Sequence, residues 1–422
     1  MKNIIKAACC FFLCSSAFSN EYLVLLNNEK TFKKDFPKAS MESLGLKNLN
    51  VYKVGSKEAG FLSRLRKSNS ILKAEIDSDL YTSIIEDEKN LNENLDADPL
   101  FSKQWHLENT GWNSRTTVIV PGVKGEDIKA KKAWEIETGN SDMIIAVIDS
   151  GADLNHPDLK DNLWINQAEK NGVKGVDDDN NGYIDDVYGY DFINDDHDPT
   201  DDNGHGSHCA GVIGAVHENQ GIKGVMKNVR LMPLKFIAAN GIGQMSAVLK
   251  AIDYAIENGA QILSNSWGGA PKESILVDLL TVASEKGISI VAAAGNSRND
   301  SDRFPIYPAA YEIPGVVSVG ATMGRGTKAT FSNFGKVSVD VFAPGNNIYS
   351  TFQKGRYKTM SGTSMAAPIV AGMIGLAKSL NPNLSHKELK EIVIESSDRL
   401  PILDNLAVGG RVNAYKMLQA IQ

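Results

Sequence analysis

Cysteine is scarce in this sequence and unevenly placed. The 422-residue chain has four cysteines, of which Cys9, Cys10 and Cys14 lie near the start and Cys209 is alone in the rest. If the first residues are removed, as argued below, one thiol remains and an intramolecular disulfide is impossible. The stability of such a chain must therefore come from other interactions.

Positive charge and long apolar runs are also lacking. Lys and Arg number 44 against 51 Asp and Glu, which gives a formal net charge of −7 and argues against binding of nucleic acid through phosphate contacts. No uninterrupted apolar run approaches the roughly 20 residues that span a bilayer. With 42% hydrophobic and 23% charged residues, the composition is that of a soluble globular protein. We expect no nucleic-acid partner and no membrane span.

The first 19 residues have the features of a secretory signal peptide. Lys2 and Lys6 are basic, residues 7–14 form a short apolar core, and residues 17–19 offer a small-x-small cleavage site. A buried first helix is the alternative, and a lipid anchor on Cys14 is disfavoured because bulky residues precede it. The expected location is extracellular, periplasmic or in the cell envelope.

Residues 20–97 differ from the rest of the chain and predict a small α+β domain. From Glu86 the sequence becomes polar and loses any period, which is typical of a linker. A small domain before an exposed linker suggests a removable unit. The predicted elements are strands at 22–26, 50–54 and 71–76 and a helix at 57–67.

From Trp134 onward, short apolar strands alternate with amphipathic helices. This pattern predicts an α/β fold with a doubly wound, mainly parallel sheet and helices on both faces. Functional sites in such sheets form beyond the carboxyl ends of the strands. The predicted strands are 144–148, 229–236, 261–263, 288–294 and 316–319, and the predicted helices are 206–216, 245–258 and 274–286.

Three polar residues lie where strands end or helices begin. Asp149 follows the strand IIAVI, His205 opens the helix in GHGSHCAG, and Ser364 opens another in SGTSMAAP. Pro368 cannot donate to the carbonyl of Ser364, a loss tolerated in a first helical turn. A serine hydroxyl becomes a nucleophile when an imidazole removes its proton, and the imidazole needs a carboxylate to orient it.

Taken singly, these residues have structural explanations, Asp149 as a turn residue and Ser364 as a helix cap. Together they follow the chain order Asp, His, Ser that is given for subtilisin. IDSGAD, HGSHCAG and SGTSMAAP resemble the three signatures of the subtilisin-like serine proteases, the subtilase family, and the similarity extends from about Asp98 to Gln422. The resemblance implies a serine endopeptidase in which Asp149 orients His205, His205 is general base and then acid, and Ser364 attacks.

The resemblance also implies an oxyanion hole and a substrate cleft. Asn296, after the strand IVAAAG, would donate to the oxyanion together with the Ser364 backbone N–H, and a tight turn at Asn296 is the structural alternative. No acid is placed obviously at the substrate pocket, so we expect apolar substrate side chains. The implied substrate-binding residues are Ser266, Trp267, Gly268, Ala293, Ala294 and Gly295.

The segment DDDNNGYIDD at 177–186 predicts a calcium site. Oxygen ligands at alternate positions followed by a glycine repeat the opening of an EF-hand loop. Tyr188 stands where that loop has its closing Glu, so closure must come earlier, and a solvated acidic turn is the alternative. The candidate ligands are Asp177, Asp179, Asn181, Tyr183, Asp185 and Asp186.

A second structural calcium site is implied by the family resemblance alone. Glu218 stands where relatives usually have asparagine, which keeps an oxygen ligand but changes the geometry. The implied ligands are Gln104, Asp158, Val216, Glu218, Gln220 and Ile222.

These inferences combine into a preproenzyme with a signal peptide at 1–19, a propeptide domain and linker at 20–97 and a catalytic domain at 98–422. The resemblance implies that the propeptide assists folding and then inhibits, whereas a retained accessory domain is the alternative. We expect a monomer that processes itself and acts on proteins or peptides. The rival hypotheses are a catalytically silent calcium-binding protein with the same fold and an esterase.

Overall fold

A computed structural model describes residues 21–56, 58, 60–82, 85–86, 98–112, 122–218 and 221–422. The predicted signal peptide, the linker residues 87–97 and Gln220 lie outside the described residues. The chain divides into two compact units. The first comprises the chain up to Leu44 and Asn50–Asp77, and the second comprises Gly45–Leu49 and Ser78–Gln422.

The first unit is a four-stranded antiparallel sheet with two helices. Its elements are β1 (Glu21–Leu26), α1 (Glu29–Asp35), β2 (Ser40–Ser43), β3 (Val51–Gly55), α2 (Phe61–Leu65) and β4 (Ile71–Ile76), and the strand order is β2-β3-β1-β4. Val24, Phe32, Val54 and Phe61 form its apolar core. The predicted strand at 71–76 is observed with those bounds, whereas α1 and β2 were not predicted and α2 is shorter than predicted.

The second unit contains the remaining elements. The strands are β5 (Asp79–Thr82), β6 (Ile85–Glu86), β7 (Gly139–Asp149), β8 (Tyr190–Asp191), β9 (Asn228–Lys235), β10 (Ile242–Gln244), β11 (Ile262–Asn265), β12 (Trp267–Gly268), β13 (Ser289–Ala293), β14 (Val316–Thr322), β15 (Val341–Pro344), β16 (Ile348–Phe352) and β17 (Arg356–Ser361). The α-helices are α3 (Ala130–Ala133), α4 (Gln167–Asn171), α5 (His205–Gly214), α6 (Met245–Glu257), α7 (Ser274–Glu285), α8 (Thr363–Leu380), α9 (His386–Glu395) and α10 (Ala414–Gln419). Short 3₁₀ helices span Pro99–Lys103, Lys160–Asn162 and Pro401–Leu403.

A sheet of seven strands forms the centre of the second unit. Its order is β15-β14-β13-β11-β7-β9-β8, and every neighbouring pair is parallel. This confirms the predicted doubly wound α/β fold. In the pairing of β7 with β11, Ile148 lies opposite Asn265, so Asp149 and Ser266 follow neighbouring strands at the same sheet edge. Functional sites of parallel sheets form at this edge, beyond the carboxyl ends of the strands.

Helix α8 crosses one face of the central sheet and is almost entirely buried. It contacts β7, β11, β13 and β14 and also helix α5. By length and composition it is the one helix among the described residues that is apolar enough to cross a membrane, but 83% of that stretch is buried within the protein. Burial of this kind is typical of a core helix, and it fixes the start of α8, where Ser364 lies.

Candidate active site

Asp149 and His205 are buried side by side at the edge of the sheet, with their side chains in hydrogen-bond contact. Asp149 is the last residue of β7 and His205 is the first residue of α5. The His205 Nδ1 atom lies 2.7 and 2.9 Å from the two carboxylate oxygens of Asp149. Nδ1–H therefore donates to the carboxylate, which leaves Nε2 as the acceptor nitrogen. Nε2 is buried and has no hydrogen-bond partner among the described residues.

The protonation of His205 depends on the charge of its partner. Burial disfavours the imidazolium, but the Asp149 carboxylate outweighs this effect and raises the pKa of His205 well above its ordinary value. A base with a raised pKa accepts a proton readily. This arrangement suits a residue that must take a proton from a hydroxyl and hold it during a reaction.

A second aspartate, Asp201, joins the two loops that carry the pair. Its carboxylate accepts hydrogen bonds from the hydroxyls of Ser150 (2.9 Å) and Ser207 (2.6 Å) and from the backbone N–H of Gly204 (2.7 Å). Ser150 follows Asp149 directly, so Asp201 connects the end of β7 to the start of α5. Gly206 allows this close approach, because a methyl group at that position would lie 2.1 Å from the carbonyl oxygen of Gly151. Asp201 was not predicted from the sequence.

Ser364 lies at the start of α8, next to Ser266. Its hydroxyl donates to the Ser266 carbonyl at 2.9 Å. The Ser364 carbonyl has no helical donor, because Pro368 lacks an N–H. It instead accepts from the Ser266 hydroxyl at 2.8 Å and from the Cys209 thiol at 3.4 Å. Burial raises the pKa of this thiol, so Cys209 is a neutral packing and donor group.

The side chain of Asn296 is oriented by the first residue of α8. Its Oδ1 atom accepts hydrogen bonds from both the N–H (2.9 Å) and the hydroxyl (3.0 Å) of Thr363. Oδ1 is therefore the acceptor end of this amide and Nδ2 is its donor end. Asn333, which the sequence analysis also missed, fixes this loop by accepting from the N–H groups of Ser297 and Asn299, both at 3.0 Å.

A pocket of about 130 Å³ opens beside Ser364. Five of the six predicted substrate-binding residues line it, and the sixth, Ala294, is buried behind it in a separate apolar cluster. The pocket also has a side chain that the sequence analysis did not predict, Ile306. The lining residues are Tyr81, Thr82, Ser266, Trp267, Gly268, Ala293, Gly295, Asn296, Ser297, Ile306, Thr363 and Ser364.

The chain itself pairs with both sides of the active site. Strand β5 is the middle strand of an antiparallel sheet of order β10-β5-β12, in which Thr82 lies opposite Trp267 and Tyr81 opposite Gly268. Strand β6 pairs with the end of β17, where Ile85 lies opposite Ser361. The segment thus occupies the strand positions that an extended peptide would take by strand addition.

The acidic loop, residues 177–186, brings its carboxylates close to one another and to a carboxylate from outside the loop that was not predicted. Oxygen atoms of Glu169, Asp177 and Asp179 all lie within 4.8 Å of one another. Asn181 donates to Asp179 at 3.1 Å, whereas the Asp185 carboxylate accepts from the N–H of Gly175. Glu169 comes from α4, eight residues before the loop, which is why the loop motif alone did not reveal it.

Two further predicted ligands have side-chain contacts of their own. Asp186 accepts a hydrogen bond from the Asn181 amide at 2.9 Å, and burial raises the pKa of Asp186 to about 6. The ring of Tyr183 packs edge-on against Tyr190 and Tyr254, so only its backbone carbonyl is a candidate ligand. The Asn181 amide therefore bridges Asp186 and Asp179, and the ring of Tyr183 packs the loop against apolar neighbours.

The second predicted metal site contains an orphaned carboxylate oxygen. Oδ1 of Asp158 is buried without a hydrogen-bond partner among the described residues, and Oδ2 accepts from the N–H of Ile222 at 2.9 Å. Burial raises the pKa of Asp158 to about 6, and the carboxylate of Asp98 adds to this increase. The chemistry of this donor set fits a cation with oxygen ligands.

The residues around Asp158 are only partly those expected. Gln104 uses both its amide atoms on the backbone of Lys223, at 2.7 and 2.8 Å. Asp98, which was not predicted, accepts from the N–H of Glu218 at 2.6 Å. Val216 donates its N–H to the Asp158 carbonyl. From the N-terminal arm, the Asp98 carboxylate is close enough to Asp158 to raise its pKa, whereas the Gln104 amide is held by the backbone of Lys223.

Comparison with known proteins agrees with this geometry. Residues 140–415 match the subtilase family. The chain is 36% identical to thermitase from Thermoactinomyces vulgaris, over 70% of this chain and 94% of thermitase. It is 34% identical to the thermophilic serine proteinase of Bacillus sp. (strain AK1), over 76% of this chain and 73% of that protein.

Two further matches are to a relative that is covered over less of its own length and to a solved structure. Subtilisin-like protease 1 of Plasmodium berghei (strain Anka) is 35% identical, and the match spans 64% of this chain but only 48% of that protein. The crystal structure of a cold adapted subtilisin-like serine proteinase superposes with a TM-score of 0.54 at 30% identity, and it covers 65% of this chain and 91% of that chain.

Proposed function

This chain belongs to the subtilase family of serine-type endopeptidases, and from that premise we propose that it is an exported, calcium-stabilised endopeptidase that cuts its own precursor. The observation that carries the catalytic part is the convergence of Asp149, His205, Ser364 and Asn296 at one edge of the parallel sheet. A relative without catalytic activity would have no need to keep these four groups together at one edge of the sheet.

The geometry supports a defined course for the reaction. The Ser364 hydroxyl turns from the Ser266 carbonyl to Nε2 of His205, transfers its proton there and bonds to the substrate carbonyl carbon. Nδ2 of Asn296 and the Ser364 N–H stabilise the resulting oxyanion. His205 then gives the proton to the leaving amine, and water repeats the sequence on the acyl-enzyme. Asp149 holds the imidazole in the required tautomer throughout.

Self-processing is supported by the position of β5 and β6. The chain enters the cleft beside Trp267 and Gly268 and leaves it beside Met360 and Ser361, three residues before Ser364. An extended segment held on both sides of the nucleophile is positioned as a substrate. The same segment would exclude other substrates, which supports its role as an inhibitor. The domain boundaries at residues 19 and 97 remain part of the proposal.

Calcium binding is supported by the two oxygen-rich clusters. When bound at Glu169, Asp177 and Asp179, a calcium ion would offset the repulsion of their carboxylates and hold the loop to α4. At the second cluster, Asp98 and Asp158 would supply carboxylate oxygens. Neither cluster includes a residue of the Asp149–His205–Ser364 triad, so calcium would act on stability rather than on the chemical step.

Covalent labelling tests the catalytic proposal. A serine-directed fluorophosphonate should label the mature wild-type protein at Ser364, and Ser364→Ala should abolish both the labelling and all proteolysis. Ser379→Ala is the matched control, because Ser379 lies on the same helix and its hydroxyl donates to the carbonyl of Gly375. A folded wild-type protein that resists labelling after removal of residues 20–97 would favour the silent calcium-binding alternative.

A further inference from the structure

Strands β16 and β17 form a hairpin, residues 348–361, that is basic within an acidic protein. The segment contains three basic side chains and no acidic one. Lys354 and Arg356 are exposed, and Lys358 is half-buried. Since the whole chain has a formal net charge of −7, this basic hairpin is a local exception to the charge of the molecule.

The basic hairpin lies next to the histidine of the triad. The ring of Phe352 packs on Gly204, the residue before His205. A methyl group placed on Gly204 would lie only 2.2 to 2.8 Å from three atoms of that ring. The Arg356 guanidinium and the Lys358 ammonium lie over the same ring, 5.3 and 4.9 Å from its centre. Cation–π contacts therefore hold two positive charges beside the active site.

The path of the precursor segment indicates which part of a substrate would meet the basic hairpin. Strand β5 pairs with β12, and β6, which follows it in the chain, pairs with β17, where Glu86 lies opposite Met360. A peptide bound in the same direction would place the residues after its cleaved bond along β17. Lys358 and Arg356 lie two and four residues before Met360 on that strand, so they are near this part of the peptide.

The sequence that follows β6 has the complementary charge. Between Glu86 and Ala97 it contains five acidic residues and one lysine, and the run begins with Glu86, Asp87 and Glu88. A carboxylate near two neighbouring cations is attracted by both and reduces their mutual repulsion. Three basic residues in an acidic protein are too few for nucleic acid, which is bound through many phosphate contacts. An acidic peptide is therefore the partner whose charge fits the basic hairpin.

Resting on the proposed endopeptidase function, we propose that the basic hairpin selects substrates with Asp or Glu among the first few residues after the cleaved bond. This preference concerns the part of the substrate that leaves along β17, and it does not depend on the side chain that enters the pocket beside Ser364. Because the cations are partly or fully exposed, the attraction acts on the association of the substrate and weakens with salt.

The test uses pairs of peptides that are identical up to the cleaved bond. The second to fourth residues after the bond are either Asp, Glu and Asp or the matching amides Asn, Gln and Asn, so each pair differs in charge at nearly constant size. Rates are expressed per active site, which is counted by fluorophosphonate titration of the mature enzyme. For the wild type, kcat/KM should be about 5- to 10-fold higher for the acidic peptide.

Salt provides a second measurement on the same peptides. Raising the ionic strength from about 0.1 to about 1 M shortens the screening length from about 10 to about 3 Å. This change should remove most of the difference between the acidic and the amide peptide. A preference that stays constant in salt would show that shape, and not the charge of the basic hairpin, distinguishes the two peptides.

Charge reversal on the basic hairpin separates recognition from a structural role. Lys354→Glu Arg356→Glu changes two exposed side chains and should reverse the order, so that a peptide with Lys at the tested positions is cleaved faster than the acidic one. Lys354→Gln Arg356→Gln introduces no new charge and should remove the preference if the first variant fails to fold. Lys336→Glu Lys387→Glu is the matched control, because it changes the net charge equally at exposed positions outside the hairpin, and it should keep the wild-type order.

The failures of the two proposals are distinguishable. If the labelled wild type cleaves the acidic and the amide peptide at equal rates, or if the control variant loses the preference as completely as the hairpin variants, the role of the basic hairpin is wrong and the endopeptidase stands. If the wild type neither reacts with the fluorophosphonate nor cleaves any peptide, both proposals are wrong.

Discussion

At the scale of single residues, Pro368 determines which groups surround the nucleophile. Because it lacks an N–H, the carbonyl of Ser364 accepts from Ser266 and Cys209 instead of from its own helix. These two contacts connect the start of α8 to Ser266, which lies between β11 and β12, and to helix α5, which begins at His205. The serine is therefore positioned by three elements at once, which is the rigidity that a nucleophile requires.

Asn296→Ala should lower kcat by about 10²- to 10³-fold and leave KM little changed, because the lost hydrogen bond forms only in the transition state. Peptide kinetics at saturating and limiting substrate measure the two effects. Asn299→Ala, an exposed asparagine of the same loop, is the control and should retain the wild-type rate. An equal loss in both variants would mean that the loop is merely destabilised.

The pH dependence should reflect the raised pKa of His205. The imidazole must be neutral to accept the serine proton, so activity rises with pH as His205 loses its proton. Since the Asp149 carboxylate raises this pKa above the ordinary value of about 6.5, the acidic limb of kcat/KM should have its midpoint above pH 6.5. In Asp149→Asn the limb should move to lower pH while the maximum rate falls by orders of magnitude. An unmoved limb would show that another group controls it.

The residues that could be predicted were those whose chemistry lies within a short motif. Asp149, His205 and Ser364 each stand in a distinctive sequence, and Asn296 closes an apolar strand. Asp201, Asn333 and Glu169 could not be predicted, because each acts through partners on another element. Asp201 is a buried aspartate that accepts five hydrogen bonds, but its local sequence is no different from that of an exposed turn residue.

At the scale of elements, the acidic loop is held in place by hydrogen bonds to a side chain of the neighbouring helix α4. Glu169 of α4 accepts from the N–H groups of Asp178 (2.7 Å) and Asp185 (2.9 Å), so the loop and the helix form one structure. Loss of a bound ion would leave Glu169, Asp177 and Asp179 repelling one another across this contact.

Asp179→Asn should weaken calcium binding and shorten the half-life of heat inactivation in calcium, with initial activity little changed. Saturation of a site at 100-fold above its Kd contributes about 2.7 kcal/mol, which bounds the expected loss. The measurement is the half-life with and without chelator. Asp142→Asn, an exposed aspartate near the start of β7, should behave like the wild type. If chelator has no effect on the wild type, the loop has no structural ion.

Six of the eight strands and helices predicted from Trp134 onward are observed within two residues of their predicted bounds, because their apolar patterns are strong. The predicted helix at 245–258 is observed as Met245–Glu257, and the predicted strand at 144–148 lies inside Gly139–Asp149. The short strands β5, β6 and β12 were not predicted as partners. Their pairings join residues between 161 and 276 positions apart in the sequence, and no local pattern contains that information.

At the scale of the whole molecule, the register of β5 and β6 indicates where the precursor is cut. Thr82 lies opposite Trp267 and Ile85 lies opposite Ser361. The Ser266 carbonyl, next to Trp267 in the chain, accepts from the Ser364 hydroxyl, so the two pairings lie on either side of the nucleophile. We therefore expect the first cut between Thr82 and Ile85.

Mass spectrometry of the purified wild type should therefore find a first cut between Thr82 and Ile85, with trimming towards residue 97 following it, and Ser364→Ala should keep the chain intact. A first cut after residue 97, or normal processing of Ser364→Ala by the purified protein, would contradict self-cleavage between β5 and β6.

Because β5 is the middle strand between β10 and β12, cleavage of the precursor and release of the cleaved segment are separate events. After the bond breaks, the strand keeps backbone pairing along both of its edges, so the product stays in the cleft as a competitor for the next substrate. A newly cut population should be silent at first and then gain activity in an accelerating curve, as each liberated molecule digests the fragments that still occupy its neighbours. The length of that lag, rather than the rate of the first cut, would set when the protein begins to work.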